Sequence, residues 1–161
     1  MIIRPHIGIG PLTFGMTEAA VEAFLGHCIT MEVFFGVRAR CSYKGPVRVV
    51  VFDADLGAVH YQVVRPGPAE LLGVDLFSLD IVGLEQFILS ESLATRRIYY
   101  DSFGRPGTEP DPLQSDYDKG FEIQLVDLNV RLDIDLEYGV DSLEVRSPRS
   151  ERHLSDFFRD Q

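Results

Sequence analysis

The sequence predicts an α+β protein built as a tandem repeat of a helix followed by antiparallel strands, with the helices packed on one face of the sheet or sheets. Three observations lead there. Two segments carry apolar residues at helical spacing, alternating or β-branched runs follow each of them, and the two stretches align when the chain is slid over itself. At an offset of 63, Gly10 to Leu25 lies on Gly73 to Ile88, with Gly10/Gly73, Phe14/Phe77, Glu22/Glu85 and Phe24/Phe87 identical.

In the first repeat, residues 1–72, Met16, Val21 and Leu25 mark one face of a helix. Thr17 is its expected N-cap, since a hydroxyl accepts from an unpaired first-turn amide, and Gly26 its stop. Val47 to Phe52 and the alternating Val59, Tyr61 and Val63 read as two strands joined by a tight turn at Asp53 to Gly57. In the second repeat, residues 73–146, Leu79, Leu84 and Ile88 supply the helical face. Short strands follow at Arg96 to Tyr100 and at Phe121 to Leu125. Leu128 to Leu136 alternates in the opposite phase, which places a turn or bulge near Val126 and Asp127. A turn at Tyr138 and Gly139 leads into the last strand, Val140 to Val145.

Gly57 to Val63 matches Gly139 to Val145 at an offset of 82, so the second repeat has gained 19 residues. They belong at 101–120, where three prolines, three glycines and five acids specify a long loop insertion. Residues 147–161 read as a linker, Ser147 to Ser150, and a short helix in which Leu154, Phe157 and Phe158 are the docking side chains.

At 161 residues and 45% apolar content the chain can bury an ordinary core as one domain or two very small ones. Its net charge of −10 is unevenly held: residues 1–72 contain 6 acids and 6 bases, residues 73–161 contain 19 and 9. Phosphate backbones and anionic membranes are attracted by basic surface, so neither nucleic acid nor membrane is an expected partner, whereas a basic protein is. No run approaches the roughly 20 apolar residues of a membrane helix, and the start lacks a basic-then-apolar leader, so a cytoplasmic location is expected. Cys28 and Cys41, without a Cys-x-x-Cys, read as free buried thiols.

Motifs for specific chemistry are incomplete. Gly10 to Thr17 has the outline of a phosphate loop, but Met16 stands where a lysine must reach the phosphates. Asp53, Asp55 and Gly57 begin like a calcium loop and then lack its later ligands, so they read as a hairpin turn. His27 and Cys28 are sequence neighbours, whose side chains point apart on an extended segment, and His6, His60 and His153 stand singly. Asp133 and Asp135 share a strand face about 6.5 to 7 Å apart, a spacing open both to acid–base chemistry and to a solvated face. No catalytic residue, cofactor or metal ligand is expected, and the chain is read as a binding protein rather than an enzyme.

The stronger signal is charge. With Leu132, Ile134 and Leu136 turned to the core, Arg131, Asp133, Asp135 and Glu137 point outward, and the insertion adds Glu109, Asp111, Asp116 and Asp118. Residues 101–144 hold 12 acids and 3 bases, a field that would steer a basic partner, with Tyr117, Phe103 and Leu113 as apolar anchors. The expected partner-binding residues are Asp111, Asp116, Tyr117, Asp118, Arg131, Asp133, Asp135 and Glu137.

The series Gly15-Met16-Thr17, Val21, Leu25-Gly26, then Tyr43-x-Gly45, Val51-Phe52 and Gly57-x-Val59, resembles the repeat unit of the beta-lactamase-inhibitory-protein-like fold and of small outer-membrane assembly lipoproteins. That resemblance implies helical segments on an antiparallel sheet and a concave sheet surface offered to a protein partner. It also places Cys28 and Cys41 where such inhibitors carry a cross-linked pair. The implied function is that of an immunity or inhibitor protein neutralising a basic bacterial toxin domain, for example a nuclease, by direct binding. A small-ligand-binding protein or hydrolytic enzyme using the concave face, and a structural adaptor, are the alternatives. A cavity lined by His60, Tyr61 and shifted carboxylates would mark the enzyme.

Overall fold

Long β-branched and aromatic runs dominate the structure, because each can bury one side while its backbone pairs with a neighbour. The computed structural model describes residues 1–34, 38–100, 106–107 and 121–149. The chain opens with a three-stranded meander, β1 (Ile3–Arg4), β2 (Gly8–Ile9) and β3 (Leu12–Thr13), followed by α1 (Glu18–Leu25). Then come β4 (Thr30–Phe34), β5 (Arg38–Ser42), β6 (Val47–Asp53) and β7 (Gly57–Val64). A two-stranded ribbon of β8 (Glu70–Leu71) and β9 (Val74–Asp75) leads through a 3-10 turn to α2 (Ile81–Ser90). The remaining strands are β10 (Thr95–Tyr100), β11 (Pro106–Gly107), β12 (Phe121–Leu125), β13 (Val130–Asp135) and β14 (Gly139–Arg146).

β4 to β7 and β10 to β14 form one antiparallel sheet in the order β11-β10-β12-β13-β14-β7-β6-β5-β4. The centre of that order is the pairing of β7 with β14, from Ser142 opposite Val64 to Arg146 opposite His60. The expected α+β tandem with helices packed as a layer on the sheet is therefore corrected: the described residues are mostly β, 48% of them in strands, with two α-helices among them. The physical reason is size. Helices of 8 and 10 residues are about 12 to 15 Å long, whereas nine strands at ~4.8 Å spacing extend roughly 38 Å. From the helices only Val21, Leu84 and Phe87 are buried.

Local signals act as their chemistry dictates. Thr17 Oγ1 accepts from Ala20 N at the start of α1, and Gly26 closes it at φ 82. Asp80 caps α2 through Gly83 N. Asp53 Oδ1 accepts from the amides of Asp55 and Leu56, making the tight β6–β7 turn. The phase switch after β12 is a 3-10 turn, Val126–Leu128, ended by Asn129 in the left-handed region. Gly57 and Gly139 each let a strand start pass close to the backbone ahead of a helix. A Cβ on Gly57 would stand 2.6 Å from Gly15 O, and one on Gly139 only 2.3 Å from Leu79 O.

The main core runs continuously from Ile3, Ile9 and Leu12 through Tyr61, Leu71 and Leu76 to Leu132 and Leu143. Tyr61 reaches back to the meander, donating its hydroxyl to Thr13 O at 2.6 Å and stacking on Phe14. Val49, Val51 and Val59 form a smaller cluster with Phe34 and Leu56. Among the described residues no helix is long and apolar enough to cross a membrane. Cys28 and Cys41 are free thiols, and burial, then the neighbouring Cys28, pushes the Cys41 thiol up to about 12.

Candidate functional site

Strand alternation sends Leu132, Leu143 and Tyr61 into the core and turns Arg131, Asp133, Ser142, Glu144 and His60 to the other face. Register brings them together, since Glu122 stands opposite Asp133, Arg131 opposite Glu144, and Arg146 opposite His60. Arg131 Nε lies 2.7 Å from Glu122 Oε1 and 3.9 Å from Glu144 Oε2, and Gln124 donates to the same Glu122 oxygen at 3.0 Å. The Arg131–Glu122 contact is an ion pair on the sheet face. Arg146 grips Glu144 Oε2 through Nε at 3.1 Å and also through Nη2. His60 Nε2 sits 3.4 Å from that oxygen, close enough for attraction but short of a formed hydrogen bond.

This network sets the charges on the face. Burial works against ionisation of Glu144, but His60 and the Arg146 guanidinium outweigh it and hold the carboxyl at about 2. Asp133 moves the other way, raised by burial and by Glu144 and Glu122, while Ser142 and Arg131 oppose the rise. Beside the network a cavity of about 260 Å³ is lined by Arg96, Arg131 and Arg146 with Gln124 and Asn129. Tyr61 belongs to the opposite, core side, so His60, Tyr61 and the acids do not line one cavity. Among the described residues no group of three or more His, Cys, Asp and Glu is placed to hold a metal ion.

The β13–β14 turn is a different kind of surface. Asp135 Oδ1 accepts from Glu137 N at 2.7 Å and Tyr138 N at 3.0 Å, so one carboxylate shapes the loop. Arg65, just past β7, straps it from outside by donating to Val140 O at 2.6 Å and Tyr138 O at 2.8 Å while its guanidinium lies over the Phe77 ring. On this braced loop Leu136 is 49% and Tyr138 57% exposed, beside exposed Glu137 and Asp141. A hydrogen bond to Glu137, with slight burial and the charge of Asp135 behind it, raises the Tyr138 hydroxyl pKa.

The structure thus separates the expected binding residues. Arg131 and Asp133 belong to the internal network, Asp135 is committed to the turn, and Glu137 stands exposed at its tip. Leu136 was expected in the core; β13 ends at Asp135 after a register shift at Asp133 and Ile134, and Leu136 turns outward. Asp111, Asp116, Tyr117 and Asp118, with Phe103, Glu109, Leu113 and the whole 108–120 stretch, lie outside the described residues. So do His153, Leu154, Phe157 and Phe158 of the expected terminal helix. The sequence reading missed the roles of Glu122, Glu144 and Arg65. Glu122 and Glu144 had a findable signal in their alternation with core residues, whereas Arg65 acts on backbone carbonyls 73 and 75 residues away. Protein-family models, curated proteins and solved structures gave no match to this chain.

Proposed function

We propose that the protein is a binding module for a basic protein partner, docking through the β13–β14 turn, in the role of a cytoplasmic immunity or inhibitor protein that covers a basic toxin domain. The observation supporting it is the pairing of Leu136 and Tyr138, each about half exposed, with Glu137 and Asp141 on a loop already fixed by Asp135 and Arg65. Aromatic and aliphatic anchors supply the desolvation energy that charge alone lacks. The acids supply encounter rate and orientation. A loop braced before binding loses little entropy on docking. The resemblance to the beta-lactamase-inhibitory-protein-like unit agrees with this reading.

The test is affinity capture from native extract with the wild-type chain and with a Leu136→Ala, Glu137→Lys, Tyr138→Ala variant, followed by kinetics on the captured species. A basic protein retained by the wild type and lost by the variant is expected. Glu137→Lys with Asp141→Lys should slow association about tenfold at low salt and flatten its salt dependence. Equal capture by the variant, or on-rates indifferent to salt, would count against the reading.

A second reading, binding of a small anion, is favoured by the arginine-lined cavity, in which Arg96 has no acidic partner among the described residues. Titration calorimetry with phosphate and with citrate, on wild type and Arg96→Ala, separates it from the first.

A further inference from the structure

β4 ends the nine-stranded sheet, and among the described residues β5 is its only strand neighbour. A terminal strand offers a row of backbone amides and carbonyls to any approaching chain, and proteins ordinarily blunt it with lysine, proline, a bulge or a covering element. Among the described residues β4 has no lysine, proline, bulge or covering element, and Glu32 is its one charged side chain. Its sequence is Thr-Met-Glu-Val-Phe, paired without irregularity from Thr30 opposite Ser42 to Phe34 opposite Arg38. Two of its three apolar side chains are also uncovered, with Met31 49% and Val33 67% exposed, while Phe34 packs on the smaller cluster. The segment leading into it adds Phe24 at 55% and Ile29 at 54%. Phe24 is the sequence match of Phe87, which is only 6% exposed, so the same side chain that α2 buries is left bare on α1.

We infer that this edge is a self-association surface, on which β4 of a second copy pairs antiparallel and joins two sheets into one. The partner's identity follows from self-complementarity. A two-fold axis normal to the sheet keeps every residue on its own face, so a register is defined by the residue that meets its own copy. Centred on Met31, Ile29 meets Val33, Met31 meets Met31, and Thr30 meets Glu32. One face of the seam is then wholly apolar, and no like charges oppose. Centred on Glu32, two carboxylates would face each other, which is destabilising. The strand is therefore complementary to itself in the first register. Because each copy carries a net charge of −10, added salt favours the pair by screening their repulsion.

The surface is separate from the β13–β14 turn, and its test needs no partner. Sedimentation velocity on the full chain over a concentration and salt series should show a monomer–dimer equilibrium that salt shifts toward dimer. Met31→Lys, at a half-exposed position the monomer does not depend on, sets two ammonium groups face to face and should weaken the dimer at least about tenfold. Glu32→Gln should change it less than about threefold, because Glu32 then faces Thr30 and not its own copy. As a second measurement, Met31→Cys with Cys28→Ser should cross-link on mild oxidation, since directly opposed Cα atoms about 4.5 to 5.5 Å apart lie in disulfide range. A chain that stays monomeric at its highest attainable concentration overturns the inference. So does a dimer that Met31→Lys leaves intact, that Glu32→Gln strengthens strongly, or that Met31→Cys fails to cross-link.

Discussion

Glu144 is the residue at which burial and charge compete most directly. Its carboxyl titrates at about 2 in the folded chain against an ordinary 4.5. A depressed folded value means the stability it contributes is complete above about pH 4.5 and is lost as pH falls through about 2. The linkage is worth at most about 3 kcal/mol, since each tenfold change in proton affinity between folded and unfolded chain corresponds to about 1.4 kcal/mol. Glu144→Gln should therefore flatten the acid limb of the stability profile in that window. It should cost about 1 to 3 kcal/mol at neutral pH, where Arg146 and His60 lose their shared anion. Urea unfolding at a series of pH values reads both effects, and an unchanged acid limb would contradict the assignment. Asp133 carries the opposite sign. Its raised carboxyl contributes stability at low pH that disappears as pH rises through the folded value, so Asp133→Asn is expected to be neutral or stabilising by up to about 1 kcal/mol at pH 7. Ser142, which donates to that carboxylate, can donate equally to the amide oxygen.

At the scale of elements, the junctions where strands start beside helices are less forgiving than the strands themselves. Gly139 has φ 83 and lies so close to Leu79 O that a Cβ cannot be fitted without moving backbone. Gly45 has φ 102 but open space around it. Gly139→Ala should cost about 2 to 4 kcal/mol and Gly45→Ala about 1, because both strain the left-handed backbone and only the first adds a clash. Equal losses in thermal unfolding would mean that the close approach contributes nothing.

The same junctions explain what was legible in the sequence. β7, β12 and β13 are legible because one buried face imposes alternation over five or more residues, β6 because Val47 to Phe52 is a β-branched apolar run, and β14 because a turn at Tyr138 and Gly139 precedes Val140 to Val145. The start of α1 is legible because Thr17 satisfies a backbone amide three residues on, whereas Asp80, which does the same for α2, goes unrecognised in the sequence. β4 was missed because an end strand exposed along most of its length needs no alternating pattern. The two-residue strands of the meander owe their pairing to contacts with no local periodicity. The charged network was missed because Glu122, Arg131, Glu144 and His60 come from four strands, and only register places them together. Leu136 departs from the expected alternation because β13 ends at Asp135 and the chain enters the turn there.

For the molecule as a whole, the decisive feature is that β7 and β14 pair at the centre of one sheet. Leu143 lies opposite Val63 and Val145 opposite Tyr61, all four without measurable exposure. If the segments on either side unfolded alone, the surviving half would present one of these strands as a bare edge with its apolar side chains in water. That penalty is large against the usual 5 to 15 kcal/mol of net stability, so neither half should be populated without the other. Scanning calorimetry of the full chain should accordingly show one transition in which the van't Hoff and calorimetric enthalpies agree. Two independent halves of similar size would give a ratio near one half. Val145→Ala removes two methyls from the seam and should cost about 2 kcal/mol. It should lower the midpoint of that single transition without splitting it. A second peak, or a variant that melts only part of the enthalpy early, would show that the seam does not couple the two sides.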